Sequence, residues 1–349
     1  MSSSAHSRPS RSRGECRMSP RLRDARPTRR GWAVLLVAAG AFLAAATGGS
    51  RSLNAVVVPA LVALAAGAGQ LSLAGPPTVE RTVPEPGFPG EERTVSVSVE
   101  SDVPCRATET VATGLAVDAP PTAAVGHGGR FAYTVRLLDR GEQALGPARC
   151  RLTDSLGLFA VRTAAGDEGT ALVYPDVHRV EGSDLSTVVQ RGRGDEPVSF
   201  DRLREFGHGD TRRDIHWRAS AKRQPEEFLV AEYDSATEAE AVTVVGEAAP
   251  GGADAMASAV ASVAAFLQDA GVPVRVAVPG GRYVARPGGA TGLLRLLAVT
   301  DHGFLDPVEA EAADVRVVAR GEETTVSLSD RDLAFAGVVG DRRGPEVVA

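Results

Sequence analysis

The stretch that decides the fold is residues 241–278, AVTVVGEAAPGGADAMASAVASVAAFLQDAGVPVRVAV. Ala241–Val245 is a short apolar run typical of a buried strand, and Val272–Val278 is another. Between them, the alanine-rich segment Ala253–Ala270 predicts a helix that ends at Gly271. Because strand, helix and strand follow one another, the stretch predicts an α/β layer with a largely parallel sheet.

The alternation of helices and strands continues toward the C-terminus. Further elements are predicted at Arg282–Ala285, Thr291–Val299, Val315–Ala319 and Thr324–Leu328, of which the second is a helix. We assign residues 179–340 to this α/β domain together with the segment that precedes it. Residues 341–349 are predicted to be a frayed tail.

Residues 76–178 have the pattern of an antiparallel β domain. Apolar and polar residues alternate in Thr94–Glu100 and again in Phe131–Leu137, and turn signals such as Gly146-Pro147 lie between such runs. Short strands at this spacing predict an immunoglobulin-like β-sandwich. Modules of this kind more often bind or position other molecules than catalyse.

The three cysteines exclude a common class of metal site. Cys16, Cys105 and Cys150 have no spacing typical of zinc ligands. We expect Cys105 and Cys150 to be small buried residues of the β domain.

The N-terminal part predicts a membrane anchor. Residues 1–30 carry nine arginines against two acids and are predicted to be disordered. Residues 31–75 contain two uncharged apolar runs, Gly31–Thr47 and Leu53–Leu73, which predict a transmembrane hairpin. The arginine-rich tail should stay in the cytoplasm, and a hairpin returns the chain to the same side. We therefore expect a two-span membrane protein with a cytoplasmic main body.

An alternative for this region is a cleaved export signal. Thr28-Arg29-Arg30 resembles a twin-arginine signal, and small residues near Ala46 could form a cleavage site. Cleavage would leave the second span as the anchor and place the main body outside. The short link between the spans favours the hairpin.

A basic segment, Leu203–Arg223 (LREFGHGDTRRDIHWRASAKR), precedes the α/β stretch, and we call it the signature segment. Arg202 to Arg223 has seven bases and three acids, a charge of +4. Residues 76–349 have 28 bases and 42 acids, a charge of −14. Lys222 is the sole lysine of the sequence. The segment is therefore a basic island in an acidic body.

A structural role is the simplest interpretation of the segment. Thr211-Arg-Arg-Asp214 has the spacing of a capping box, which predicts a short helix from about Arg212 to Lys222. Ile215 and Trp217 could dock this helix on the sheet.

Three binding or catalytic alternatives remain open. His208, Asp210, Asp214 and His216 could hold zinc or manganese and activate water, as in a metal-dependent hydrolase. Trp217 with the basic residues could bind nucleic acid, or the arginines and Lys222 could bind a phosphate or an acidic protein surface. Neighbouring arginines disfavour a bound cation, and the acidic body disfavours nucleic acid.

The residues from Arg204 to Lys222 resemble the signature of the family called domain of unknown function 58. The matching positions are Arg204, Gly209, Asp210, Arg213, Ile215, His216, Trp217, Ser220 and Lys222. The two spans, the β domain and the stretch LTDSLGLF at residues 152–159 also resemble the family's layout. The resemblance implies a von Willebrand factor A-like α/β domain and a MoxR-type AAA+ ATPase as partner. It implies no established activity.

One departure from metal-binding von Willebrand A domains concerns their Asp-x-Ser-x-Ser motif. Here the strand Val242–Val245 runs into Gly246–Gly252, which has one carboxylate, Glu247, and no serine. We therefore expect no metal-dependent adhesion site and no cofactor. The expected function is that of a non-enzymatic membrane-anchored adaptor or scaffold in protein assembly or cell-envelope processes, with the nine signature residues as the partner- or anion-binding site.

Overall fold

The computed structural model describes residues 25–48, 54–180, 184–192, 202–205, 229–232, 241–321, 323–328 and 331–342, which form two compact units. The β unit extends to Glu85 and includes Glu92–Arg136 and Gln143–Ala171. The α/β unit comprises Pro86–Glu91, Leu137–Glu142 and the chain from Leu172 onward. The boundary thus lies at residues 171–172 instead of the predicted 178–179. Two short segments, Pro86–Glu91 and Leu137–Glu142, lie within the β domain in sequence but belong to the α/β unit.

The β unit contains two antiparallel sheets. Its strands are β1 Arg26–Pro27, β2 Thr78–Arg81, β3 Glu92–Glu100, β4 Cys105–Thr108, β5 Leu115–Ala116, β6 Thr122–Val125, β7 Gly128–Leu137, β8 Gly141–Leu145, β9 Ala148–Thr153, β10 Phe159–Ala165 and β11 Gly169–Val173. One sheet has the order β1-β10-β9-β4-β6 and the other β2-β3-β7-β5, while β8 pairs with β11. The predicted strands Thr94–Glu100 and Phe131–Leu137 lie within β3 and β7, which pair with each other. A β-rich domain is therefore confirmed.

Alternation explains how this unit forms its core. Val95, Val97 and Val99 of β3 are at most 1% exposed, because successive side chains of a strand point to opposite faces. Cys105 and Cys150 lie on the neighbouring strands β4 and β9 as free thiols, each 2% exposed. The expectation that they are buried residues of one β region is confirmed. A hydrogen bond with Cys105, together with burial, raises the pKa of the Cys150 thiol.

Two apolar helices, α1 Arg29–Gly48 and α2 Asn54–Leu73, belong to the same unit. Both are long and apolar enough to cross a membrane. Only 11% and 22% of their most apolar stretches are buried, and Leu43 and Val62 are more than 60% exposed. A helix in the core of a water-soluble domain would bury such side chains, since exposing apolar surface to water costs about 25 cal/mol per Å². The prediction of two membrane-length helices is confirmed.

The entry into α1 is ordered by two local devices. β1 pairs with the start of β10, and Thr28 Oγ1 accepts a hydrogen bond from the Gly31 amide at 3.2 Å. Threonine is a favourable N-cap because its oxygen satisfies a free amide of the first turn. The prediction of disorder for residues 1–30 is therefore wrong from Ala25 onward, since the pairing partner is distant in sequence and invisible to composition.

The loop Asp154–Leu158, here called the clamp loop, holds both helices. Gln70 Nε2 of α2 donates to Ser155 Oγ at 2.8 Å, and the Ser155 amide donates to Gln70 Oε1 at 2.9 Å. The Thr28 amide, at the start of α1, donates to the Leu158 carbonyl oxygen at 2.8 Å. Helices and sheet are thus joined by hydrogen bonds at one place.

Asp154 gives the clamp loop its shape. Its carboxylate, in a residue only 2% exposed, accepts from the Leu156 amide at 3.0 Å and from the Phe159 amide at 2.6 Å. A Cβ atom at Gly67 of α2 would lie 3.0 Å from Asp154 Oδ2, so a glycine allows this close approach.

The β unit also contains a buried charged cluster. Arg81 Nη2 and Glu109 Oε1 are 3.3 Å apart, and their side chains are 5% and 0% exposed. Among the described residues, Arg81 Nε, Glu109 Oε2 and the Tyr133 hydroxyl have no hydrogen-bond partner. Burial, followed by the Glu109 charge, raises the pKa of Tyr133 to about 12.

This pKa leads to an alkaline prediction. Tyr133 ionises near pH 10 in the unfolded chain and near pH 12 in the folded protein. Its contribution to the free energy of unfolding is therefore fully present below pH 10 and is lost as the pH rises toward 12. We expect Tyr133 to account for a loss of about 1–2 kcal/mol across this window, because solvent screening of this half-buried residue reduces the effect. Tyr133→Phe should abolish it, whereas Tyr283→Phe should not, as measured by hydrogen exchange of β3 and β7. An unchanged alkaline loss in Tyr133→Phe would contradict the assignment.

The α/β unit is built on a six-stranded sheet. Its elements are β12 His178–Val180, α3 Asp184–Gly192, β13 Arg202–Glu205, β14 Leu229–Glu232, β15 Val242–Ala248, α4 Ala253–Asp269, β16 Val274–Val278, β17 Gly281–Ala285, α5 Thr291–Val299, α6 Pro307–Glu311, β18 Val315–Arg320, β19 Glu323–Leu328, β20 Arg331–Ala334, α7 Phe335–Val338 and β21 Val339–Arg342. The sheet order is β17-β16-β15-β18-β19-β20, with β12-β21 and β13-β14 as separate pairs. The predicted strand, helix and strand of residues 241–278 are β15, α4 and β16.

A largely parallel sheet is wrong for this unit. β15 pairs in parallel with β16 and β18, but β17, β19 and β20 are antiparallel to their neighbours. Their connections are short, and only an antiparallel neighbour can be reached by a short turn. The parallel centre arises where a helix lies between consecutive strands.

The main core lies on one face of the sheet. Val244 of β15 and Val317 of β18 pack there in one cluster with Met256 and Val260 of α4, all at 0% exposure. The alanine-rich sequence of α4 favours the helix and lets it approach the strands closely.

Two further predictions are corrected by this unit. The charges and glycines of residues 180–200 predict an extended connection, but α3 occupies Asp184–Gly192. Its buried residues Leu185, Val188 and Val189 have helical spacing, a signal that the surrounding charges obscure. The predicted tail from residue 341 still contains the end of β21, because this strand pairs with β12.

Candidate binding surface of the α/β unit

The structure describes one of the nine predicted signature residues. Arg204 lies in β13, where its Cα partner across the pair is Val230 of β14. The other eight lie outside the described residues: Gly209, Asp210, Arg213, Ile215, His216, Trp217, Ser220 and Lys222. His208 and Asp214 of the alternative metal site also lie outside them. Their roles stay predictions.

The face of the six-stranded sheet opposite α4, here called the second face, is covered only in part by the described residues. Val245 and Ala277 pack there against Ala310 of α6 in a small cluster. Farther along the same face, Arg275 is exposed and Val284 is 54% exposed. The parallel centre of this sheet, formed by β16, β15 and β18, would usually be covered on both faces. The second face is therefore a candidate site for contact with another element or molecule.

A groove of about 260 Å³ lies on the second face of β18, β19 and β20. Its lining residues are Arg316, Val318, Arg320, Glu323, Thr325, Ser327 and Asp332. Cross-strand register brings them together, since Arg316 lies opposite Ser327 and Arg320 opposite Glu323. The sequence reasoning missed this site, although β18 alternates arginine with buried valine and alanine, which is a detectable signal.

Glu247 is a buried residue that is bound by Arg316, one of the groove residues. Its side chain is 2% exposed, and its Oε2 accepts from Arg316 Nε at 2.9 Å and Nη2 at 2.7 Å. Its Oε1 accepts from the Leu305 amide at 3.0 Å. Both oxygens of this carboxylate are thus bonded to donors of the protein.

Arg140 joins separate parts of the α/β unit. Its Nε donates to Asp254 Oδ1 at 2.8 Å, at the start of α4. Its Nη1 donates to the carbonyl oxygens of Leu297 and Thr300, the second at 2.9 Å. A cation at the end of α5 satisfies free carbonyls and complements the helix dipole. Arg140, at 10% side-chain exposure, is thus a structural cap.

The groove has the chemistry of a binding site. Within the described residues, no His, Cys, Asp and Glu side chains form a group of three or more that could hold a metal ion. Charges of both signs at the rim of the groove suit recognition of a polar protein surface.

Comparisons with known proteins leave the family open. No family model and no curated protein matches the chain, so membership of the domain of unknown function 58 family stays a prediction. Among solved structures, the chain is similar to the CARDB domain of a Pyrococcus furiosus protein in complex with di-metal ions, at 9% identity, 28% coverage of this chain, 92% of that one and a TM-score of 0.20. It is also similar to the PKD domain of an M14-like peptidase from a Thermoplasmatales archaeon, at 14% identity, 26% and 97% coverage and a TM-score of 0.17. Scores this low bear on neither fold nor function.

Proposed function

We propose that this chain is a non-enzymatic adaptor, anchored in the cell membrane by two helices with its main body in the cytoplasm. In this proposal the α/β unit is von Willebrand factor A-like and binds a MoxR-type AAA+ ATPase during protein assembly or cell-envelope processes. The fold assignment, the partner and the orientation come from the sequence resemblance and from the arginine-rich tail.

The observation that carries the proposal is the partly uncovered second face with its charged groove. A sheet face lined by Arg320, Glu323 and Asp332 offers charge pairs and hydrogen bonds to a protein surface, while Val318 and Val284 add apolar area. Glu247 is already held by Arg316, so the groove supports protein binding over cation binding.

The test is a binding measurement with the full chain in lipid nanodiscs and a purified MoxR-type ATPase. We expect association that depends on the nucleotide state of the ATPase. Arg320→Glu should weaken it by about tenfold or more, because reversing an interfacial charge places like charges together. Arg286→Glu, an equally exposed change outside the groove, should leave the affinity within about twofold.

A separate variant tests the signature segment. Arg213→Glu should also weaken association if this segment forms part of the surface. No association with ATP, with ADP or without nucleotide would reject the partner. Equal losses in the Arg320 and Arg286 variants would reject the groove.

A further inference from the structure

The five-stranded sheet of the β unit has a one-sided charge. Its strands β1, β10, β9, β4 and β6 contain five arginines and no aspartate or glutamate. These arginines are Arg26, Arg106, Arg149, Arg151 and Arg162, and all are exposed. We call them the arginine face.

Strand register places these side chains on the same side of the sheet. Arg151 of β9 lies directly opposite Arg106 of β4 and Arg162 of β10. Arg149 is two residues from Arg151 and therefore points the same way. Arg26 of β1 is the Cα partner of Ala160, two residues from Arg162. Three arginines thus form a row across three strands, and a fourth and fifth flank it.

Such a row is unfavourable for the fold alone. Like charges directly opposite each other in a sheet destabilise it, and none of these five arginines has an ion-pair partner in the described part of the chain. Residues 76–349 carry 28 bases and 42 acids, so the chain has many acidic side chains that could have paired with these arginines. The other sheet, by contrast, pairs Arg136 with Glu92. An external anion is the natural complement of the arginine face.

The sheet is fixed beside the membrane-length helices. Thr28 is the single residue between β1 and α1, and the clamp loop that joins β9 to β10 contacts α2. Arg162 is three residues from the start of β10, or about 10 Å at ~3.3 Å per residue. This separation is about one Debye length at physiological ionic strength. The long side chain of Arg162 can bring its guanidinium group closer to the start of β10 than the backbone distance suggests. The arginine face therefore lies within reach of the lipid headgroups.

We propose that the arginine face binds anionic phospholipid headgroups of the bilayer that α1 and α2 enter. Guanidinium groups form paired hydrogen bonds with phosphate oxygens and stay charged at any physiological pH. Headgroup phosphates would also remove the repulsion within the row. The inference rests on the β unit alone and does not depend on the proposed adaptor function.

The test uses the full chain in nanodiscs of phosphatidylcholine or of phosphatidylcholine with phosphatidylglycerol. Modification by an arginine-specific dicarbonyl reagent is followed at each residue by mass spectrometry. We expect the rates at Arg151 and Arg162 to fall about fivefold with phosphatidylglycerol, the factor that one arginine contributes at an anionic surface, and to recover in high salt. Arg130 and Arg286, exposed elsewhere, serve as internal controls. Equal rates in both lipids at the arginine face, or equal protection at the controls, would overturn the proposal.

A matched pair of triple variants separates binding from folding. Phosphatidylglycerol should raise the melting temperature of the wild type, because a ligand of the native state stabilises it. Arg106→Gln/Arg151→Gln/Arg162→Gln should melt higher than wild type in pure phosphatidylcholine and should lose the phosphatidylglycerol gain. Arg130→Gln/Arg275→Gln/Arg286→Gln, with the same loss of charge, should keep the gain. A gain retained by the first variant, lost by the second or absent from the wild type would count against lipid binding.

Discussion

Glu109→Ala is expected to lower the free energy of unfolding of the β unit by about 3–5 kcal/mol. The substitution removes the partner of Arg81, whose side chain is only 5% exposed, and leaves a guanidinium buried without a counter-charge. Tyr133 can supply an oxygen but no charge. Native-state hydrogen exchange of β2, β3 and β7 in nanodiscs would measure the loss.

The double variant Arg81→Met/Glu109→Leu is the control for this result. It removes both charges, and replacing a buried ion pair with apolar groups of similar size is often neutral or stabilising. Three unsatisfied polar atoms in the cluster strengthen this expectation, because two of them leave with the charged side chains. We therefore expect the double variant to lie within about 1 kcal/mol of wild type. A double variant as unstable as Glu109→Ala would mean that the pair itself holds the sheets together.

Arg316→Met is expected to lower the stability of the α/β unit by about 3 kcal/mol, whereas Glu247→Gln should cost about 1 kcal/mol. The asymmetry follows from exposure, since Glu247 is 2% exposed and Arg316 is 41% exposed. Loss of the arginine leaves a buried carboxylate with the Leu305 amide as its remaining donor. Loss of the carboxylate charge leaves an arginine that can turn toward water.

Hydrogen exchange of β15 and β18 would test this asymmetry. Arg275→Met is the matched control, because it removes an exposed arginine from the same face. Equal costs for Arg316→Met and Glu247→Gln would contradict the role of exposure. Arg316→Met and Glu247→Gln also test how the groove is held in shape, because Arg316 is one of its lining residues.

The elements that follow from local pattern could be predicted. The alternation in β3 and β7, the apolar lengths of α1 and α2, and the helix α4 between β15 and β16 each depend on residues close in sequence. The antiparallel direction of β17 and β19 was missed although it could have been predicted, because the links that precede them are only a few residues long and exclude a parallel neighbour. The pairing of β1 with β10 joins Arg26 to Ala160, and no short-range pattern encodes such a contact.

The candidate sites show the same division. The signature segment was found from composition, and eight of its nine predicted residues lie outside the described structure. The arginine face was missed because β4 and β9 are far apart in sequence, whereas the groove was missed although the alternation in β18 is detectable. Arg106, Arg151 and Arg162 are unremarkable in the sequence, and pairing alone makes them a row.

The clamp loop has a mechanical consequence for the β unit. It joins Gln70 near the end of α2 and Thr28 before α1 to one rim of the sheet, so helices and sheet must rotate together. If both 19-residue segments cross a bilayer as proposed, each is about 28 Å long at ~1.5 Å per residue and tilts when the bilayer is thinner. The hydrogen bonds of the clamp loop would then pass this tilt on to the five-stranded sheet of the β unit.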